Sequence, residues 1–286
     1  MVLKAFSGLM GVNTVEIGCN YDKLAKECGR QLAHNGVCVD PTDHEFDLEI
    51  FSRGVCDWMR SQGFGKAEGE RYYDMMNHFP HTFMTTNRCT VPTSLVCTFV
   101  AIATRLGLCT GPVRFPDCIH AWIAFPSYEQ STTNILSRAK ENNWQAEQPL
   151  RCLHVDVFHS DTEPFLSSQS MRRTFANFGV PEDKWGMCMI PTAASGILLQ
   201  VLNNIMESDN TEPPPTTQIQ TDARIATRYA MAIPVLITQP RGDNASTLVE
   251  VIESSVKDQF QLDTEIILSP IFEYIFEYWH KLGLDS

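Results

Sequence analysis

The chain has 286 residues, of which 22 are basic and 34 acidic, so its formal net charge is −12. This charge would repel a phosphate backbone, and no cluster of cations interrupts it, so nucleic acid is excluded as the expected partner. No run approaches the ~20 apolar residues that a membrane span requires, and the N-terminal residues lack the long apolar segment of a secretory signal. We therefore expect no membrane association and a cytoplasmic protein, with the nucleus as the other compatible compartment.

The chain contains ten cysteines, and their spacing is scattered. No C-x-x-C pair suggests a zinc site or a redox-active dithiol, so most of the cysteines are expected to be buried as small apolar side chains. The sequence predicts no cofactor and no metal site, and it leaves the oligomeric state open.

Residues 1–85 carry helical signals. The segment YDKLAKECGRQLAHNG ends on a glycine, and DLEIFSRGVCDWMRSQGFG has apolar residues three and four positions apart before Gly63 and Gly65. This spacing places the apolar side chains on one face of a helix, and glycine is a common helix terminator. The first segment is therefore predicted to be an α-helical lead-in.

The next segment, VPTSLVCTFVAIATRLGL, is apolar on every side. The helix is predicted to begin after Pro92 and to end at Gly107. Thr93 and Ser94 are the candidates for its N-terminal cap. A helix without a polar stripe is a buried helix. We therefore predict a buried central helix over residues 92–107.

Three short runs rich in β-branched or aromatic residues follow, namely GPVRF, IHAWIAF and LRCLHVDVF, and turn residues surround them. Such runs are typical of β-strands. The order of elements predicts an α+β fold in which a small antiparallel sheet packs on the buried helix.

The second and third predicted strands are separated by residues 126–149, a mostly polar insertion much longer than the usual hairpin loop. Trp144 is its largest apolar side chain and is expected to be its anchor. Residues 171–286 are predicted to be largely helical, with a proline-rich linker near 207–221. The predicted organisation is thus a helical segment at 1–85, a core at 86–170 that carries the insertion, and a helical segment at 171–286.

Side chains alternate along a strand, so His120 and Trp122 share one face of their strand, and His154 and Asp156 share one face of the next. If the two strands pair, His120 can meet Asp156. A carboxylate on the far ring nitrogen would fix the histidine tautomer and orient the imidazole as a base. This arrangement is the orienting half of a triad made of a nucleophile, a histidine and an acid.

One series of segments carries a resemblance to a known family, and it runs from FSRGVCDWMRSQGFG through YYDMMNHF, NRCTVPTSLVCTFVAIATRLGL, GPVRFP, HAWI and LHVDVF to PFLS. Together these segments resemble the transglutaminase-like superfamily. More narrowly, it is similar to the branch found alone in bacteria and, in eukaryotes, within certain F-box proteins. The resemblance covers roughly residues 45–205 and implies a papain-like α+β core. In active members a cysteine begins the buried helix, a histidine occupies HAW and an aspartate follows in the next strand. His120 and Asp156 match the last two positions.

The resemblance leaves the nucleophile open, because the position that active transglutaminases fill with cysteine falls on Pro92. Thr93 and Ser94 are the nearest hydroxyls. Cys97 lies one helical turn further along, on the same face as Thr93. Cys118 precedes His120 by two residues and shares its strand face. The branch more often carries its histidine near that point, directly after a proline–glycine pair, where this chain has Pro116-Asp117-Cys118-Ile119-His120.

Each candidate also has a purely structural interpretation. His120 can be a half-buried histidine with satisfied hydrogen bonds, and Asp156 can cap a turn or bond to His154. Cys97 can be inert packing, and Ser94 can be a helix cap. His154, Asp156 and His159 lie on one strand and the turn after it, which is a poor metal-ligand pattern.

Two functions follow from these residues. The first is an acyl-transfer enzyme that forms, exchanges or cleaves an amide bond in a small molecule or a peptide, with His120 as the base and Asp156 orienting it. Cys97, Cys118 or Ser94 would be its nucleophile, and Trp122, Thr93 and Trp144 would contact the substrate. The alternative is a module that has lost catalysis and binds a protein partner.

Overall fold

The computed structural model describes residues 12–115, 118–125, 152–159 and 163–193, together with Ser7 and seven positions between 196 and 208. Within these residues the protein is a mixture of helices and small sheets, so the predicted α+β class is confirmed. The insertion at 126–149, including Trp144, and most of the C-terminal segment lie outside the described residues. No described helix combines the length and the apolar character needed to cross a bilayer.

Two amphipathic helices precede the sheet, as the spacing predicts. Helix α1 spans Thr14–His34 and is capped by Asn13, whose side chain accepts a hydrogen bond from the Val15 N–H. Helix α2 spans Leu48–Ser61, and Asp47 caps it by accepting from two backbone N–H groups. Gly63 follows α2 with a φ of 86°, a left-handed conformation that glycine adopts without steric cost.

Short elements connect α2 to the central helix. They are the strand β1 (Gly65–Lys66), two 3-10 helices (Gly69–Tyr73 and Met75–His78), the one-turn helix α3 (Pro80–Phe83) and the strand β2 (Cys89–Thr90). Strands β1 and β2 pair in parallel. This connection brings the second 3-10 helix against the beginning of the central helix.

The central helix, α4, spans Pro92–Arg105 and is largely buried. Its N-cap is Val91, and no side chain caps it, so the prediction that Thr93 or Ser94 forms the cap is wrong. The reason is that Pro92 already occupies the first helical position, where its missing N–H costs nothing and its fixed φ suits the helix. Gly107 ends the helix with a φ of 94°, as predicted.

Three antiparallel strands form the main sheet in the order β3-β4-β5, with β3 at Cys109–Phe115, β4 at Cys118–Ala124 and β5 at Cys152–Val155. The register of β4 and β5 places Trp122 opposite His154 and Ala121 opposite Val155. β5 is shorter than predicted, and Asp156 lies just beyond its end.

Both edges of this sheet are covered by irregular chain. At β5, the Asp156 N–H donates to the Pro164 carbonyl over 2.7 Å and the Leu166 N–H donates to the His154 carbonyl over 2.9 Å. At β3, the Thr192 N–H donates to the Pro112 carbonyl over 2.8 Å. The edge N–H and C=O groups, which could otherwise pair with a strand of another molecule, are thereby partly satisfied.

The sheet is buried on both faces. Ile119, Ala121 and Ile123 project from one face of β4 and are at most 5% exposed. Helix α4 packs against β3 and β4. On the other face, Trp122 packs in a cluster with side chains of α5, the helix at Ser168–Asn177. A 3-10 helix at Glu182–Lys184 and the short helix α6 (Trp185–Cys188) complete this layer.

The chain divides into two compact units by its internal contacts. Residues 13–197 form one unit, which contains every element named above. Residues 1–12 and 198–286 form the other, of which the structure describes a few positions, among them the buried Val201 and Ile205.

Candidate functional site

The imidazole of His120 is held inside the protein on β4. The side chain is 1% exposed, and its Nε2 lies 2.8 Å from Nδ1 of His154, within hydrogen-bonding distance. His154 is one residue before the end of β5 and is 7% exposed. Because the register sets His154 opposite Trp122, the two histidines approach each other diagonally on one face of the sheet.

Both histidines are neutral at physiological pH. Burial lowers the pKa of His120 to about 3, with a further contribution from the neighbouring His154. Burial alone lowers the pKa of His154 to about 4. One ring must therefore donate the hydrogen bond between them and the other must accept it, because two neutral imidazoles carry one N–H each.

Asp156 has other partners than the one predicted for it. Its Oδ1 accepts hydrogen bonds from the N–H groups of Phe158 and His159, over 3.2 and 3.1 Å, and its Oδ2 lies 3.0 Å from Nδ1 of His159. The carboxylate thus caps the turn that follows β5, as aspartate side chains commonly do. The ring bonded to Nε2 of His120 is His154 rather than this carboxylate.

A cavity of about 320 Å³ opens beside His120. It brings together Pro92 at the start of α4, His120 on β4 and Asp156 after β5. These are the three positions at which the resemblance implies nucleophile, histidine and acid. The remaining lining residues are Tyr72, Ile119, Phe158, His159, Leu166, Ser170, Met171 and Thr174.

Several of these lining residues were missed by the sequence analysis. Tyr72 comes from the first 3-10 helix, whereas Ser170, Met171 and Thr174 come from α5. They carry no motif of their own. The one available signal was the position of Thr174, three residues after Met171 and four after Ser170, which places it next to both on one helix surface.

Cys97 lies away from the cavity, on a part of α4 that is close to Tyr21 of α1. Burial raises the pKa of the Tyr21 hydroxyl, and the nearby Cys97 thiol contributes to the rise; the same hydroxyl hydrogen-bonds to Thr98. Burial raises the pKa of Cys97 itself to about 11. A thiol with this pKa is almost entirely protonated at pH 7 and is a poor nucleophile.

The hydroxyls at the start of α4 serve the local structure. Ser94 is 1% exposed, and its Oγ donates to the Asn77 carbonyl over 2.6 Å. Thr90 donates to the same carbonyl over 3.0 Å. Thr93 is also 1% exposed. Neither Ser94 nor Thr93 is among the residues that line the cavity.

Two of the remaining candidates are not placed at the cavity by the structure. Trp122 is 4% exposed and packs in the cluster with Val113, Met171 and Phe175, so its ring contributes to the core. Cys118 is the first residue of β4, but its side chain lies outside the described part of the molecule.

A larger cavity, of about 550 Å³, lies between α1 and α2. Its lining includes Glu49, Arg53 and Asp57 but neither histidine nor cysteine. We therefore locate the candidate site at the smaller cavity, whose wall contains titratable imidazoles. Within the described residues, no group of three or more His, Cys, Asp or Glu side chains is arranged to hold a metal ion.

Comparison with known proteins yields no relative: the chain matches no protein-family model, no curated protein and no solved structure.

Proposed function

We propose that this chain has a transglutaminase-like, papain-like core and that the cavity beside His120 is a site of amide chemistry on a peptide or small molecule. The observation that carries the proposal is the meeting of Pro92, His120 and Asp156 at one cavity. These residues come from a buried helix, a strand and the end of the next strand, in the order that the resemblance implies.

The reaction that this cavity supports best uses His120 as a general base without a covalent enzyme intermediate. Among the described lining residues there is no thiol, and Pro92 occupies the position of the family's cysteine. A water or an amine would attack the amide carbonyl carbon while its proton passes to His120. The proton would then move to the leaving nitrogen as the amide C–N bond breaks.

The test is turnover with defined probes. The purified chain is incubated with glutamine-containing peptides, and the release of ammonia and the incorporation of a fluorescent primary amine are measured. His120→Ala should lower the rate by about 10²- to 10⁴-fold, the usual loss on removing a catalytic base. His44→Ala, at an exposed histidine, is the matched control. Equal rates for wild type and His120→Ala would disprove the assignment of the base.

The second candidate is a binding module that has lost catalysis, and Pro92 favours it, because proline offers no nucleophilic atom. The lowered pKa of His120 favours it as well, since a weaker base gives less driving force for proton transfer. The module would hold a peptide segment of a protein partner in the same cavity.

A pair of variants on α5 separates the two candidates. Ser170→Trp places a large ring in the cavity, whereas Arg172→Trp adds the same ring at an exposed position that does not line it. If the protein is a binding module, only Ser170→Trp should abolish binding to a peptide array, and neither the wild type nor the variants should show turnover. For the enzyme, Ser170→Trp should abolish both binding and turnover.

A further inference from the structure

The contact between His120 and His154 joins two buried rings at the candidate site. Nε2 of His120 and Nδ1 of His154 are 2.8 Å apart, and the ring centroids are 5.0 Å apart at an interplanar angle of 58°. Both side chains are buried and project from paired strands, so neither ring can turn away without disturbing the core. One proton must lie between the two nitrogens.

Two arrangements of that proton are possible, and they give His120 opposite chemistry. If His154 donates from Nδ1, then His120 accepts at Nε2 and carries its own proton on Nδ1, where it can act only as an acid. If His120 donates from Nε2, then its Nδ1 holds a lone pair and can act as a base.

The surroundings favour the second arrangement. His154 is the more exposed of the two rings, at 7% against 1% for His120. Its Nε2 lies on the edge of the ring away from the contact and is not among the fully buried nitrogens that lack a hydrogen-bond partner in the described residues, so a proton on this nitrogen can be donated to solvent. With Nε2 of His154 protonated, its Nδ1 must accept, and the proton of the contact belongs to His120.

We infer that His154 is a positioning residue that accepts a hydrogen bond from Nε2–H of His120 and thereby leaves Nδ1 as the basic nitrogen of the His120 ring. The inference rests on the proposed function, in which His120 is the base. It assigns to His154 the task that the sequence analysis gave to Asp156, whose oxygens are occupied by the turn after β5.

His154 is a neutral acceptor, whereas a carboxylate in its place would be negatively charged, and this difference affects how long His120 keeps a proton. When Nδ1 of His120 takes a proton from the attacking water or amine, the resulting imidazolium still donates from Nε2 to the lone pair of His154. No carboxylate compensates the new positive charge through this hydrogen bond. The proton should therefore be passed on to the leaving nitrogen rather than retained on His120.

The test is the tautomer of His120 in the full chain, observed by long-range ¹H–¹⁵N spectra of protein labelled with ¹⁵N-histidine at pH 7. His120→Asn and His154→Asn assign the two rings by loss of their signals. The expected result is a protonated Nε2 and an unprotonated Nδ1 on His120. The opposite tautomer in the wild-type protein would overturn the inference.

Two substitutions of His154 separate positioning from simple packing. Asn places an amide where Nδ1 of His154 stands and can keep the hydrogen bond, whereas Leu fills the space without an acceptor. His120 should keep its tautomer in His154→Asn and show a mixture of tautomers in His154→Leu. An unchanged single tautomer in His154→Leu would overturn the inference, and if that variant does not fold, the wild-type spectrum decides.

The kinetic arm uses the glutamine-peptide assay. His154→Leu should lower kcat about tenfold or more with little change in KM, and His154→Asn should restore most of the loss. Absence of turnover in the wild-type protein would count against the proposed enzyme function alone, since the tautomer is measured without a substrate.

Discussion

Pro92 and His120 line the same cavity, the first at the N-terminus of a buried helix and the second on the strand β4 that packs against it. The residue at the position where the proposed transglutaminase-like core would carry its nucleophile therefore lines the same cavity as the candidate base, but proline has no atom that this base could activate. This relationship makes Pro92 the most informative position to change.

Pro92→Cys should create a reactive thiol. Its sulfur would lie at the first position of α4, where the helix dipole favours a thiolate, and would line the cavity next to His120. A pKa lowered by about one unit would raise the thiolate fraction at pH 7 roughly eightfold, and alkylation by iodoacetamide should be several-fold faster than for an ordinary exposed cysteine. Mass mapping measures the rates.

The matched control for that variant is Ser168→Cys, at the first position of α5, which has a helix N-terminus but does not line the cavity. If the helix alone is responsible, the two introduced thiols should react alike. If His120 contributes, Pro92→Cys should react faster, and the difference should disappear when His120→Ala is added.

Cys97 should be among the slowest cysteines to react in the native protein. Burial raises its pKa to about 11, whereas Cys19 and Cys89 are exposed. With iodoacetamide at pH 7, Cys19 and Cys89 should be alkylated first and Cys97 more slowly than either. Early and selective labelling of Cys97, lost in His120→Ala, would reinstate it as the nucleophile.

Ser94→Ala should reduce stability rather than chemistry. The Ser94 hydroxyl donates to the Asn77 carbonyl inside the protein, and its removal should lower the free energy of unfolding by about 1 kcal/mol. Thr90→Val removes the second donor to the same carbonyl and should have a similar effect. Urea denaturation measures both. A loss of turnover in Ser94→Ala without a loss of stability would instead indicate a catalytic hydroxyl.

His78 should make the protein less stable in acid. The side chain is 1% exposed, neither ring nitrogen has a hydrogen-bond partner among the described residues, and burial lowers its pKa to about 4. Below about pH 6.5 the unfolded imidazole binds a proton that the folded one does not, so stability is lost as the pH falls toward 4. Between pH 6.5 and 4.5 this single group should remove on the order of 2–3 kcal/mol.

His78→Leu tests this directly by urea denaturation at pH 7.5 and 4.5. The variant should lose less stability between the two pH values and gain about 1 kcal/mol at pH 7.5, because an unpartnered buried polar group is removed. His44→Leu, at an exposed histidine, should leave the pH dependence as it is. An unchanged pH dependence in His78→Leu would show that the other buried histidines, His120 and His154, dominate.

Gly111→Ala should destabilise the covered edge of β3. A Cβ at this position would lie 2.7 Å from Cβ of Pro191, which belongs to a rigid ring. The strain should cost about 1–3 kcal/mol, as overpacking commonly does. In a double-mutant cycle, Pro191→Gly removes the obstructing atoms, so the cost of Gly111→Ala should largely vanish in that background. Additive effects would mean that the close approach is unimportant.

The sequence by itself determined the elements around the site. The periodicity of α2, the proline and glycine that bound α4 and the alternation along β4 are local patterns, because the backbone geometry of a helix or strand sets them within a few residues. For that reason the α+β class, the buried helix and the shared face of His120 and Trp122 could be predicted without coordinates.

Only the tertiary structure decided which side chains meet. Asp156 was expected to orient His120, but the turn after β5 provides two N–H groups and His159 within three residues, and a nearby partner costs little chain entropy. The contact between His120 and His154 depends instead on strand register and on the burial of both rings. The cavity likewise collects residues from five separate stretches of the chain, and no local pattern encodes their proximity.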